Sequence, residues 1–213
     1  MEKTSDEDTK FEIGIYFVDT TYADESNETD EQWLAKSAAL KKQLEEEYKL
    51  PFQDEDIAPG WSLPAFSTVI SEYWPAGLIA LFLAGEKIEK NIDAWSRLYD
   101  RLKRFVTRPV YLDRNGALVL ASNAVITKCG ALPHSLTIAG YSVWSVLEGE
   151  VAHDTSPIVG FADPPTTDRL SIMIHIFQIA ADEKCFKVFV DGPKVQLIEM
   201  LSDDNMVSKI TLG

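Results

Sequence analysis

Cysteine is scarce in this chain. There are two in 213 residues, Cys129 and Cys185, far apart and without a CxxC or CxxH neighbour. That excludes a disulfide scaffold and a zinc site built from local ligand pairs; two reduced, buried thiols are expected instead. Histidine is as sparse: His134, His153 and His175 form no HExxH or His-x-His pair. No G-x-S-x-G elbow occurs, and His153-Asp154 beside Ser156 are loop neighbours that cannot converge as a triad through adjacency alone.

Long apolar runs are missing too. The longest lies in "YWPAGLIALFLAGEKIEKN", where Pro75 to Gly85 is 11 residues. A membrane-spanning helix needs about 20. The same stretch reads Gly85-Glu86-Lys87 where a phosphate-binding loop needs Gly-Lys-Ser/Thr, and Gly77 stands too far upstream. No cofactor or metal is therefore expected. The N-terminal "MEKTSDEDTK" lacks the basic and apolar regions of a secretory signal, so a cytoplasmic protein is expected and the sequon at Asn27 carries no glycan.

Positive charge is short at the front end. Residues 1–60 carry 17 acidic and 6 basic side chains, a net of −11 out of −14 for the whole chain. Such a front end repels phosphate backbones and anionic lipid and disfavours nucleic-acid binding. Its chemistry suits a basic protein partner. Within it, Asp54, Glu55 and Asp56 precede Pro59-Gly60-Trp61, which places an indole beside an acidic triplet. Tryptophan is a favoured interface anchor, so Asp54, Glu55, Asp56 and Trp61 are the candidate protein-binding residues. Neither this cluster nor "DESNETDE" has the glycine and closing glutamate of an EF-hand.

What is present is ordinary globular composition, 46% apolar and 25% charged, enough to bury a core. Residues 1–10 read as a disordered acidic tail and 11–213 as a single domain. "FEIGIYFV" alternates, with Phe11, Ile13, Ile15 and Phe17 on one face and Glu12, Gly14, Tyr16 and Val18 on the other, which is a strand. Thr29-Asp30-Glu31-Gln32 is a capping box opening a helix whose stripe is Trp33, Leu40, Leu44 and Tyr48, with Pro51 ending it. "PFQDEDIAPGWSLPAF", with three prolines, reads as a loop.

From Pro75 the seam Leu78, Leu81, Gly85, Ile88, Ile92, Trp95, Tyr99, Leu102 and Val106 steps by 3 and 4 and predicts one long helix over 76–107, with a break near Gly85 as the alternative. "PVYLD" reads as a strand and Asn115-Gly116 as a tight turn. Residues 117–129 read as a helix capped by Gly130, or as a return strand. "HSLTIAGYSVWSVL" is one strand or a short pair. "RLSIMIHIFQIA", "KCFKVFVD" and "KVQLIEML" form a three-strand meander turning at Asp191-Gly192.

The expected fold is α+β, a mostly antiparallel sheet with a C-terminal β-meander, packed by two or three helices including the long one. The expected function is a non-enzymatic acidic protein-binding module of inhibitor, neutralising or adaptor type. The competing readings are an enzyme assembled from His134, His153 and the 54–56 carboxylates, and a homodimer paired through the 78–106 seam.

Overall fold

The computed structural model describes residues 8–18, 29–58, 61–75, 92–108, 110–145, 151–152 and 173–200. The architecture is α+β, with two antiparallel sheets rather than one. The N-terminal sheet holds β1 (Asp8–Val18), β2 (Gln53–Ala58), β3 (Trp61–Pro75) and β4 (Tyr111–Leu112) in the order β2-β3-β1-β4. The C-terminal sheet holds β5 (Leu136–Ser145), β6 (Val151–Ala152), β7 (Met173–Ala181), β8 (Lys184–Asp191) and β9 (Lys194–Met200) in the order β6-β5-β7-β8-β9. The helices are α1 (Asp30–Tyr48), α2 (Ile92–Lys103) and α3 (Arg114–Cys129).

Alternation in β1 decides which way the N-terminal sheet faces. Ile13, Ile15 and Phe17 are buried, and their register partners Ile70, Thr68 and Phe66 are buried beside them. β1 starts at Asp8, so residues 8–10 of the expected tail pair with Tyr73–Pro75; residues 1–7 lie outside the described set. Because β1 and β2 each run antiparallel to β3, they are parallel to each other, and the chain crosses between them through α1. β3 and β4 are parallel by the same argument, joined by the segment containing α2.

The expected loop at 51–66 is instead the β2–β3 hairpin, with Ala58 opposite Trp61 across residues 59–60. Residues 59–60 themselves lie outside the described set. Among the described residues, Pro64 of β3 pairs with Asp56 of β2, and the β1 register reaches Ala65 beside it. The expected long helix over 76–107 is described only in its second half. β3 continues to Pro75, residues 76–91 lie outside the described set, and α2 covers only 92–103. It ends in a tighter turn, with Arg104, Phe105 and Arg108 N–H groups donating to carbonyls three residues back. Trp95, Leu98, Leu102 and Phe105 are buried in the chain's own core, so this half of the seam is not free to pair with a second copy.

α1 keeps its predicted capping box: Gln32 N–H donates to Thr29 Oγ1 and Thr29 N–H to Gln32 Oε1. Its C-terminal stripe reaches the core, where Tyr48 stacks on Phe105 at 4.4 Å between centroids and Phe17 packs edge-on to Phe52. Burial of such rings is worth roughly 1.5–3 kcal/mol each.

Residues 117–129 are helical, within α3. Asn115-Gly116 is not a turn but the first turn of that helix, because Asp113 caps it and its Oδ1 accepts from Gly116 N–H at 2.8 Å. Gly130 closes the other end at φ 73°. α3 packs against β1 and β4 on one side and β7, β8 and β9 on the other. Gly116 to Ser122 are therefore buried without a break, on every side of the helix. A single buried cluster runs from Ile13 through Leu118 to Val190. The meander matches its expected strands, and Gly192 turns β8 into β9 at φ 53°. Only glycine serves there, since a Cβ would meet the Val110 carbonyl at 2.4 Å. The two cysteines are free and half-buried rather than enclosed.

Candidate protein-binding face

Strand geometry separates the acidic triplet. Neighbouring residues on β2 point to opposite faces of the sheet. Asp54 lies opposite Phe66, on the core face, but at the rim, where its carboxylate is 75% exposed and pairs with Lys41 of α1 at 2.6 Å. An exposed pair of this kind contributes about 0–1 kcal/mol, so it leaves Asp54 accessible rather than holding the fold. Glu55 turns the other way and accepts a hydrogen bond from Ser67 Oγ at 2.5 Å. Asp56 stands opposite Pro64 and Trp61 opposite Ala58; their side chains lie outside the described set. Of the enzyme candidates, His134 is exposed before β5 and His153 lies outside the described set.

Glu55 does not stand alone on its face. Register places Tyr16 opposite Ser67 and Tyr111, Glu12 opposite Ser71, and Gln53 opposite Ser67, all turned away from the core. Ser71 Oγ donates to Glu12 Oε1 at 3.3 Å. Val69, 49% exposed, shares the face. The hydroxyl of Tyr16 folds back over Gly14, where a Cβ would come within 2.9 Å of it. Burial, with the nearby Asp113 and Glu55 carboxylates, pushes the Tyr16 phenol up to about 12. Tyr111 is also raised, by burial first and then by Asp191. Both phenols stay protonated as donors in an anionic field.

Asp113 closes this face at the α3 end. Its Oδ2 accepts from Gly14 N–H and its own N–H donates to Gly14 O, so one residue caps α3 and continues the β1 ladder. Burial pushes its carboxyl up to about 6, against the lowering effect of the Gly116 and Gly14 N–H groups and Arg114. Asn115 Nδ2 donates to the Glu12 carbonyl at 2.8 Å and fixes the same corner.

The triplet lies on β2 of this sheet; Glu12, Tyr16, Tyr111 and Asp113, which share or border the outer face with Glu55, are not among the residues the sequence singled out. Part of the signal was in "FEIGIYFV", whose non-core face is Glu12, Gly14, Tyr16 and Val18. Nothing local showed that β2 and β4 would flank β3 and β1 to complete it.

Among the described residues, no group of three or more His, Cys, Asp or Glu side chains is arranged to hold a metal ion, and no helix is long and apolar enough to cross a membrane. Comparison of the chain with protein-family models, with curated proteins and with solved structures found no match.

Proposed function

We propose that this chain is a protein-binding module whose partner is a basic protein, engaged through the non-core face of the N-terminal sheet and its β2 rim. One observation carries the reading: carboxylates and phenols converge on that face from β1, β2 and β4, with Glu12, Glu55, Tyr16 and Tyr111 on one side of one sheet. Tyrosines provide large contact area at low entropic cost, and carboxylates supply steering and register toward cations. Asp54 at the rim extends the negative field around the edge. A partner of inhibitor-target or adaptor type fits this chemistry, and the front-end charge would accelerate its association.

The test is affinity capture from native lysate on the immobilised chain at about 50 mM and about 500 mM salt, a range over which the Debye length shrinks from roughly 14 to 4 Å. A basic protein held at low salt and released at high salt is expected. Retention that ignores salt, or no retention at low salt, contradicts the reading.

A further inference from the structure

β4 belongs to the N-terminal sheet through its pairing with β1, yet it is also fastened to the C-terminal sheet. The imidazole of His175 on β7 bonds through Nε2 to the Leu112 carbonyl at 2.9 Å and through Nδ1 to the Tyr141 hydroxyl at 2.9 Å. A carbonyl oxygen only accepts, so Nε2 carries the proton, Nδ1 accepts from Tyr141, and the ring is neutral with both nitrogens satisfied.

The surroundings of the ring offer nothing to balance a second proton. Across the strands, His175 lies between Val143 of β5 and Val190 of β8, with the Phe177 ring stacked nearby. Arg114 of α3 acts on the ring and is itself positive. β4 contributes Leu112, flanked by Tyr111 and by Asp113, whose carboxylate is bonded to Gly14 and Gly116. On β8, Asp191 follows Val190 and acts on Tyr111. β5 contributes the Tyr141 hydroxyl. Burial and Arg114 accordingly hold the imidazole down at about 4, against the raising effect of the Leu112 carbonyl.

We propose that His175 is an acid-operated latch between the two sheets: protonation at Nδ1 opens the β4–β7 contact to water and loosens the Tyr111–Leu112 end of the β1–β4 ladder and the β7 ladder around His175, while Asp113 keeps its bonds to Gly14 and Gly116 and the rest of each sheet persists. A cation in this apolar wall is stable only once solvated, so each proton taken up favours the locally opened form. An opened ring titrates near 6.5 and a closed one near 4. Lowering pH from 7.5 to 5 then raises the opening constant about thirty-fold by linkage.

Amide hydrogen exchange on the intact chain, corrected for the intrinsic rate, tests this between pH 7.5 and 5, above the isoelectric point near 4.6. Protection around Val110–Leu112 and His175–Phe177 is expected to fall about thirty-fold over that range, while Asp113, β8–β9 and the middle of β1–β3 change little. His175→Gln, which keeps a donor and an acceptor but cannot titrate, is expected to abolish the pH dependence. An equal acid-induced loss in His175→Gln overturns the latch, as does a uniform loss across both sheets in the wild-type chain. The imidazole proton resonances of the wild type give a check independent of any variant. A closed-state midpoint at 6.5 or above also overturns it.

Discussion

The two sheets present similar faces to the core and opposite faces to the outside. On the core side both are aliphatic and aromatic: Ile13, Ile15, Phe17 and Phe66 in one, Phe177, Ile179, Phe186 and Val188 in the other. On the far side the N-terminal sheet carries Glu12, Tyr16, Glu55, Ser67, Ser71 and Tyr111. The C-terminal sheet carries Trp144, Ile174, Ile176, Phe189 and Ile198 there, with Lys187 over the Phe189 ring at 5.5 Å. Core packing constrains only one face of each sheet, so the other is where chemistry is free to differ. The N-terminal sheet's outer face is the one rich in carboxylates, and the binding proposal rests on that asymmetry.

The largest effects should come from the shared core, where the two sheets behave alike. Phe66→Ala and Phe177→Ala remove fully buried rings, and each is expected to cost about 3–5 kcal/mol in denaturant unfolding. A much smaller loss from one of them would show that its sheet contributes less than the continuous core implies.

The next comparison is between two titrating groups at the seam, whose effects on stability oppose each other. His175 has its folded value lowered to about 4, so its contribution is fully present above about 6.5 and is lost as pH falls toward 4, roughly 3 kcal/mol in all. Asp113 has its folded value raised to about 6 from 3.8, so its contribution is present below 3.8 and is lost as pH rises through 6. In the wild-type chain the two offset each other between pH 4 and 6. Asp113→Asn keeps a capping oxygen and should leave stability falling on acidification; His175→Gln should leave it rising. Urea midpoints at pH 7 and 5 read both slopes, and parallel behaviour of the variants would contradict the assignment.

A smaller effect separates the outer faces. Ile198→Lys on the C-terminal sheet and Glu12→Lys on the N-terminal sheet are both exposed changes, expected within about 0.5 kcal/mol of wild-type stability. The smallest concerns Ser122, fully buried in α3 with no hydrogen-bond partner for its Oγ among the described residues. Ser122→Ala should leave stability unchanged or raise it by up to about 1 kcal/mol, by thermal or urea unfolding.

Much of this frame was legible along the chain. Period two in β1 and the meander, the α1 capping box and the Gly130 cap each depend on residues close in sequence, and each holds. The misreadings have a common physical origin. The prolines around Trp61 suggested a loop because nothing near them in sequence shows that β1 and β2 pair with β3 from either side. Asn115-Gly116 suggested a tight turn because the Asp113 cap, also bonded to Gly14 about a hundred residues away, is what makes it a helix start. The candidate face was half legible for the same reason: the Glu55 strand and the β1 pattern were visible, and their adjacency was not.

The central claim is that the carboxylate and tyrosine face of the N-terminal sheet is the binding surface. It is tested most directly by comparing Glu12→Lys/Glu55→Lys with Trp144→Ala/Ile198→Lys, both checked for wild-type circular dichroism, in salt-graded capture of the same partner. The account predicts that the first variant loses the partner at low salt and the second retains it. Retention by the first with loss by the second would contradict it, and would move the binding surface to the other sheet.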